Sequence, residues 1–162
     1  MTAELTPKPV SASRVEMVEM IQPNDTNPLG TASGGKIMHL IDIAAAIAAL
    51  RHCRRRVVTA SMDRIDFLHP VHLGELVILR ASVNYTGKTS LEVGVKVLSE
   101  DPRTGETLHT ASAYATFVAV NDYGQPVPVP PLVLETDEDR RRNAQAIERR
   151  ERRLAGLRKG SR

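Results

Sequence analysis

The sequence is poor in the residues that several common functional sites require. Its 162 residues include one cysteine, Cys53, no tryptophan, three tyrosines and two phenylalanines. A single cysteine excludes an internal disulfide bond and a cysteine metal cluster. Nucleic-acid surfaces that stack on bases need aromatic side chains, which are scarce here. We therefore expect no nucleic-acid partner.

Long apolar runs and the best-known cofactor motifs are also missing. No stretch approaches the roughly 18 consecutive apolar residues of a membrane-spanning helix, and the first residues, MTAELTPKPVSAS, contain no apolar segment. The phosphate-binding patterns GxGxxG and GxxxxGK[ST] and the metal-binding patterns HExxH and CxxC do not occur. These absences predict a cytoplasmic protein with no membrane partner and no bound metal.

The formal net charge of +3 is unevenly distributed. Much of the excess lies in residues 140–162, with a second cluster at 51–56. Residues 135–158 are rich in Arg and Glu, and three acidic residues from Asp137 stand where the first turn of a helix favours negative charge. We interpret this segment as a solvated helix on the domain surface rather than as a nucleic-acid-binding element.

Residues 25–42, DTNPLGTASGGKIMHLID, are the most informative segment. Polar turn residues lead into Gly34 and Gly35 at a helix start, where glycine leaves room beside unsatisfied N–H groups and the positive end of the helix dipole. Residues 36–51 are apolar almost all round, which predicts a buried helix that carries Asp42 with it. A buried carboxylate is costly unless it is paired, hydrogen-bonded or used in chemistry. Asp42 is therefore a candidate catalytic group, although a structural hydrogen-bonding role stays open.

Alternating patterns and turn residues predict the rest of the fold. A strand at 13–21 precedes the helix, and β-rich segments separated by turns follow it at 57–67, 76–84, 90–98 and 108–120. Short connections between consecutive strands predict an antiparallel meander, and the apolar helix can cover one of its faces. We predict an α+β fold in which about five strands wrap round one long helix. A charged C-terminal helix follows. The predicted divisions are a flexible tail at 1–12, a domain at 13–131 and a basic helical extension at 132–162.

Four separated motifs resemble those of one protein family. They are DTNPLGTASGGKIMHLID at 25–42, RVVTASMDRIDFLHPVHLGE at 56–75, TGKTSLEVGVKV at 86–97 and ASAYATFVAVNDYGQPVPVP at 111–130. The chain resembles the hotdog-fold acyl-CoA thioesterases, specifically the short bacterial acyl-CoA hydrolases and the repeats of the brain-type cytosolic acyl-CoA hydrolase. The resemblance implies hydrolysis of acyl-CoA to a free carboxylic acid and CoA, in fatty acid metabolism. It also implies that no metal or redox cofactor is used, with CoA present only as part of substrate and product.

The resemblance also assigns candidate site residues. It implies that Asn27 and Asp42 form the catalytic pair and that Gly34 and Gly35 are the glycine pair at the helix start. Thr59 lies on the strand that follows the helix, and we expect its side chain to face the thioester. Side chains and amides that suit the CoA portion of the substrate occur elsewhere along the chain. The CoA candidates are Arg64, Gly87, Lys88, Thr89 and Ser90.

Helix geometry constrains how these residues cooperate. Gly35 and Asp42 lie seven residues apart, or about 10 Å along a helix axis, so one carbonyl group cannot easily meet both. We therefore predict sites shared between the subunits of a homodimer, which relatives of this type assemble into a trimer of dimers. In this site the Gly35 amide polarises the carbonyl, Asn27 positions water or thioester, and Asp42 acts as general base or as nucleophile.

Two other functions fit the same architecture. A hotdog dehydratase would require a histidine at the turn before the helix, where this chain has Asn27. A non-enzymatic regulator that binds acyl-CoA would use the same pocket without depending on Asp42.

Overall fold

A six-stranded antiparallel sheet wraps around one long helix in the computed structural model, which describes residues 5–160. Short 3-10 turns occupy Val10–Ala12 and Pro23–Asp25. In chain order the elements are β1 (Lys8–Pro9), β2 (Val15–Met20), α1 (Gly34–Cys53), β3 (Arg56–Met62), β4 (Asp66–Phe67), β5 (Leu76–Thr86), β6 (Ser90–Glu100), β7 (Thr107–Val120), β8 (Leu132–Val133) and α2 (Asp137–Gly160). The main sheet has the strand order β2-β5-β6-β7-β3, with β4 also paired to β7. This arrangement confirms the predicted α+β architecture.

Helix α1 begins and ends with recognisable capping residues. The Ser33 hydroxyl accepts a hydrogen bond from the Lys36 N–H at 3.2 Å, which is typical of a serine N-cap. At the other end Arg54 adopts a left-handed conformation with φ of 51°, and its N–H donates to the Leu50 carbonyl. The helix is two residues longer at each end than predicted, because both glycines are helical and the chain turns only after Cys53.

The sheet covers only one side of α1. The alanines at 44, 45, 48 and 49 are fully buried and let the strands approach the helix closely. Where the sheet does not reach, Met38 near the start of the helix is 47% exposed and Leu50 near its end is 42% exposed. Asp42 is therefore half-buried, and the expectation of a buried Asp42 was wrong for the single chain. The helix is apolar almost all round although its own sheet covers only one side.

The strand predicted at 57–67 is divided into two. Strand β3 ends at Met62, residues 63–65 leave the ladder, and β4 resumes pairing with β7. Strand β3 is an edge of the sheet, and its Val58 side chain is 49% exposed. The exposed Phe67 and Leu68 follow on β4 and just beyond it. An apolar edge strand beside an apolar helix face is a surface suited to a second subunit.

The two ends of the described chain meet. Strand β1 pairs in parallel with β8, so residues 8 and 9 are tied to the segment that precedes α2. The Asp139 carboxylate accepts hydrogen bonds from the Glu135 and Thr136 N–H groups and forms an ion pair with Arg14 at 3.3 Å. Residues 1–4 and 161–162, which belong to the predicted tail and extension, lie outside the described residues. The predicted domain divisions remain a proposal.

Helix α2 lies on the outer face of the sheet and is anchored there by polar contacts. The Arg149 guanidinium donates to both carboxylate oxygens of Glu92, at 3.1 and 2.7 Å, and lies 3.5 Å above the centre of the Tyr114 ring. Glu92 is only 4% exposed. A buried bidentate ion pair of this kind fixes the position of the helix, and breaking one partner leaves an uncompensated charge. One side of α2 is solvated, as predicted, while the other contacts the sheet.

Gly94 in β6 provides a test of how closely this outer face is packed. A Cβ atom at residue 94 would stand 2.6 Å from the Asn84 side-chain nitrogen, which itself donates to Glu92 at 3.3 Å. We expect Gly94→Ala to lower the free energy of unfolding by about 1–3 kcal/mol, measured by urea denaturation. Gly156→Ala, in α2 with open space around it, should be neutral or stabilising. If Gly94→Ala and Gly156→Ala have equal stability, the close contact is not present.

Candidate active site

The loop before α1 holds the Asn27 side chain in one orientation. Its Oδ1 accepts hydrogen bonds from the Leu29 and Thr31 N–H groups at 3.0 and 3.3 Å, and its Nδ2 donates to Thr31 Oγ1 at 2.9 Å. Gly30 has φ of 78°, a left-handed conformation that closes this tight loop. Asn27 is half-buried. An amide fixed in this way can orient a water molecule or a thioester.

Lys36 ties this loop to the first turn of α1. Its Nζ lies 2.9 Å from Glu19 Oε1 on β2 and 3.2 Å from Asp25 Oδ1 in the loop. The pKa of Asp25 is lowered, mainly because its carboxylate accepts a hydrogen bond from the Gln22 N–H and also because of Lys36. The pKa of Lys36 is raised, chiefly by its hydrogen bond to Glu19. Both groups are therefore ionised at neutral pH, and the ion pairs connect the Asn27 loop to the helix that carries Gly35.

The glycine pair leaves open space at the helix start. A Cβ atom at residue 35 would meet nothing within 4 Å, and one at residue 34 would reach only the Phe67 ring at 3.7 Å. Both glycines are exposed and belong to the first turn, whose N–H groups have no intrahelical acceptor. The space and the outward-pointing N–H groups suit an electron-rich oxygen of a ligand.

Asp42 receives a hydrogen bond from the neighbouring edge strand. Thr59 Oγ1 donates to Asp42 Oδ1 at 2.9 Å. The register of β3 shifts between Thr59 and Ser61, a β-bulge of the kind that re-aims a side chain next to a site. Asp42 Oδ2 accepts no hydrogen bond from any residue in the range 5–160. The carboxylate is thus oriented through one oxygen while the other stays available.

The predicted CoA residues are divided between two places. Residues 87–89 form the β5–β6 turn, which is closed by a hydrogen bond from the Gly87 N–H to the carbonyl of Ser90, the first residue of β6. Thr59 on β3 pairs with Phe117 on β7, and Phe117 also pairs with Leu91 on β6. The turn before Leu91 therefore lies at the Thr59 end of the sheet, about 10 Å from Thr59 across two strand spacings. Arg64 is exposed in the loop between β3 and β4 and pairs with Asp66. The Lys88 side chain is exposed.

Within one chain the candidate catalytic residues form two groups. The ring of Phe67 is the nearest neighbour of the Gly34 position, and Phe67 pairs with Ala111 in β7. Thr59, which contacts Asp42, pairs with Phe117 in the same strand. Six residues of extended strand separate Ala111 from Phe117, about 20 Å in length. The Asn27–Gly35 group and the Asp42–Thr59 group therefore lie at different positions along the sheet.

Two residues that shape the site were not predicted from the sequence. The side chain of Thr31 is the principal partner of the Asn27 amide, and the pattern Asn-Pro-Leu-Gly-Thr is typical of a turn in which Asn accepts from the N–H two residues on. That signal was present in the sequence. Lys36 pairs with a strand residue 17 positions away, a contact for which local sequence provides no signal.

Replacing Lys36 tests whether the Asn27 loop depends on its ion pairs. We expect Lys36→Met to lower kcat/KM about tenfold, because a loop displaced by a fraction of an ångström no longer presents Asn27 correctly. Lys36→Arg should restore most of the rate, since it keeps the charge and can reach both carboxylates. Steady-state kinetics provide the measurement. Equal rates for Lys36→Met and wild type would show that the loop keeps Asn27 in position without the Lys36 ion pairs.

Other potentially reactive groups in the described residues are not arranged for catalysis. Burial raises the pKa of the Cys53 thiol to about 11, so it is inert at neutral pH. His52 is fully buried, with Nε2 at 2.8 Å from the Pro130 carbonyl, and burial lowers its pKa. Within residues 5–160 no group of three His, Cys, Asp or Glu side chains could hold a metal ion. Over the same range no helix has both the length and the apolar character needed to span a membrane.

Comparison with known proteins places the chain in a family. Residues 29–106 match the thioesterase superfamily. The chain is 45% identical over 137 residues to YkhA, an uncharacterized acyl-CoA thioester hydrolase of Bacillus subtilis, and the match covers 85% of this chain and 80% of that protein. These coverages leave only short segments of either protein unmatched.

Solved structures agree over nearly the whole length. An apo-hexameric acyl-CoA thioesterase is 39% identical with a TM-score of 0.91, covering 94% of this chain and 98% of that one. Acyl-CoA hydrolase from Staphylococcus aureus, in complex with butyryl-CoA, CoA and CoA disulfide, is 37% identical with a TM-score of 0.88, covering 95% and 94%. Variants of that hydrolase with single Asp, Asn and Thr residues replaced by alanine have also been solved. The fold, the sequence identity and the extent of both matches show that this chain belongs to the hotdog-fold acyl-CoA thioester hydrolases.

Proposed function

We propose that this protein hydrolyses acyl-CoA thioesters to a carboxylic acid and CoA in sites shared between two subunits. The observation that carries the proposal is the state of Asp42, whose carboxylate is oriented by Thr59 through one oxygen and, within residues 5–160, accepts no hydrogen bond at the other. A half-buried carboxylate held in this way can take a proton from water or attack a carbonyl carbon. No metal or redox cofactor takes part, and CoA enters only as part of substrate and product.

The proposed mechanism assigns one role to each group. The Gly35 N–H, at the positive end of α1, donates to the thioester carbonyl and stabilises the negative charge that develops on its oxygen. Asn27, held by Thr31, orients water or the thioester, since an amide donates and accepts hydrogen bonds but does not take up a proton. Asp42 is the general base or the nucleophile.

The assignment of these residues has support from a relative. In the Staphylococcus aureus hydrolase the Asn, Asp and Thr residues replaced by alanine follow one another at the same spacing as Asn27, Asp42 and Thr59. One of those variants was solved in complex with CoA. In this chain Asn27 belongs to the first of the two groups described above, and Asp42 and Thr59 form the second.

The shared site follows from the separation of those groups. Because Asn27 and Gly35 lie well away from Asp42 along the sheet, a thioester held by the first group needs a carboxylate from elsewhere. An antiparallel second copy, packed against edge strand β3 and the exposed side of α1, would bring its own Asp42 to this position and receive Asn27 and Gly35 in return. The homodimer is therefore the proposed minimal unit. Since one relative is described as hexameric, we propose a trimer of such dimers.

The CoA portion has proposed contacts at the rim. Gly34 lies beside Gly35 at the helix start. Thr59, which is hydrogen-bonded to Asp42, lies close to the reacting group. The turn at Gly87, Lys88, Thr89 and Ser90 offers amide, ammonium and hydroxyl groups to pantetheine or phosphate, and Arg64 offers a guanidinium. We place the protein in the cytoplasm, where acyl-CoA substrates are found.

A panel of acyl-CoA substrates tests the function directly. Release of free CoA thiol should be seen with at least one of short, medium and long acyl chains, with saturation kinetics. If no chain length releases thiol while acyl-CoA still binds, the protein is a binding regulator. If a β-hydroxyacyl-CoA loses water without releasing thiol, it is a dehydratase. Either result contradicts the proposal.

A further inference from the structure

A groove of about 690 Å³ lies on the outer face of the sheet, away from α1. Its floor is formed by the outward-facing residues of β5, β6 and β7, where Ser82, Gly94 and Ser112 are small and leave a depression. Helix α2 forms one wall. The sheet separates this groove from α1, whose Asp42 and Gly35 face the other side.

The groove concentrates positive charge in a protein whose net charge is small. Six basic side chains line it: Arg14, Arg80, Lys96, Arg141, Arg142 and Arg149. Only two acidic side chains, Glu16 and Glu138, line it with them. Basic residues come from β2, β5, β6 and α2 or the segments beside them, so four separate parts of the chain supply them.

Ion pairs do not neutralise this set. Arg14 pairs with Asp139, Arg80 with Glu16 and Arg149 with Glu92. Glu138 forms ion pairs with both Arg141 and Arg142. Lys96 has no ion-pair partner within residues 5–160. Six cations therefore share four carboxylates through these ion pairs, and Asp63 adds only a longer-range attraction on Arg149, so positive charge stays in excess in the groove.

A serine hydroxyl in the groove floor also lacks a protein partner. Ser82 is 8% exposed, and its hydroxyl makes no hydrogen bond to any residue in the range 5–160. The hydroxyl oxygen is not fully enclosed by protein, so a ligand in the groove can reach it. Ser82 lies directly opposite Gly94 on the groove floor.

We propose that this groove binds a phosphate group carrying two negative charges. Guanidinium groups match phosphate oxygens in geometry and bind them with charge-assisted hydrogen bonds, and Lys96 supplies a further point charge. The excess of positive charge suits a phosphate dianion. Ser82 contributes a hydroxyl hydrogen bond to it. The phosphate is carried either by a free compound or by the nucleotide end of a second CoA molecule.

Titration calorimetry with inorganic pyrophosphate at constant ionic strength tests the site. We expect one pyrophosphate per subunit for wild type, and about a tenfold higher Kd for Arg142→Ala. Arg152→Ala is a matched control, since Arg152 is on the same helix, also pairs with a glutamate four residues earlier, and does not line the groove. Ser82→Ala, which removes a single hydroxyl, should also weaken binding. Asp42→Asn should bind pyrophosphate as wild type does.

CoA titrations distinguish the two sources. If the groove takes the nucleotide end of CoA, wild type binds two CoA molecules per subunit and Arg142→Ala binds one. If it takes free phosphate compounds, both bind one CoA, and only pyrophosphate binding is weakened. The proposal is overturned if wild type binds no pyrophosphate and one CoA, or if Arg142→Ala and Arg152→Ala bind both probes equally well.

Discussion

Replacing Asp42 with asparagine is expected to lower kcat by a factor of about 10² to 10⁴. Asparagine has nearly the same shape and can still accept the Thr59 hydrogen bond, but it cannot take a proton from water or attack as an anion. The fold should be intact, because Asp42 is half-buried and has one hydrogen bond within residues 5–160. Thiol release under saturating acyl-CoA is the measurement.

A matched control separates this effect from a change of charge. Asp137→Asn removes one carboxylate from an exposed position in the first turn of α2, where it pairs with Arg140. Its rate should equal that of wild type. The thermal unfolding midpoint of Asp42→Asn should also stay close to that of wild type. A fully active Asp42→Asn variant would show that Asp42 has neither proposed catalytic role.

Mixing two inactive variants is expected to restore activity. When Asn27→Ala and Asp42→Ala chains are produced together, about half of the dimers contain one chain of each kind. In such a dimer one shared site has lost both residues, and the other has Asn27 from one chain and Asp42 from the other. Random pairing should therefore restore about a quarter of the wild-type activity. Sites formed within single chains would restore none.

In a second mixture, shared sites leave less activity than sites formed within single chains. When wild type is produced with the double variant Asn27→Ala/Asp42→Ala, every shared site in a mixed dimer lacks one residue, so about a quarter of the activity remains. Sites within single chains would keep about half, since half of the chains are intact. The two mixtures together decide between the arrangements, because each arrangement predicts a different pair of values.

The outline of the fold could be predicted because each element has its own local signal. The helix had an apolar pattern and a glycine pair at its start, and the observed Gly34–Cys53 contains the predicted range. The strands had alternation and clear turns, so β5, β6 and β7 lie within two residues of the predicted bounds. The break between β3 and β4 was missed because residues 57–67 contain no strong turn signal.

The candidate site was predictable only in part. Asn27, Gly35 and Asp42 lie in one continuous segment that a family resemblance could reach. The contact of Asp42 with Thr59 depends on a β-bulge, and the contact of Lys36 with Glu19 depends on the register of β2. Such long-range contacts are decided by how strands pair, which local patterns do not specify. The same reason explains why the docking of α2 through Arg149 and Glu92 was not predicted.

The pairing of β1 with β8 has a consequence for how the protein acquires its fold. Lys8 meets Leu132, and Arg14 meets Asp139, so these contacts form only after residues 132 and 139 have been synthesised. Such distant contacts slow folding, because the entropy of closing a long loop is lost before the contacts form. The six-stranded sheet and α1 can assemble before β8 and α2 are available. We expect β1 to dock last, once β8 has left the ribosome.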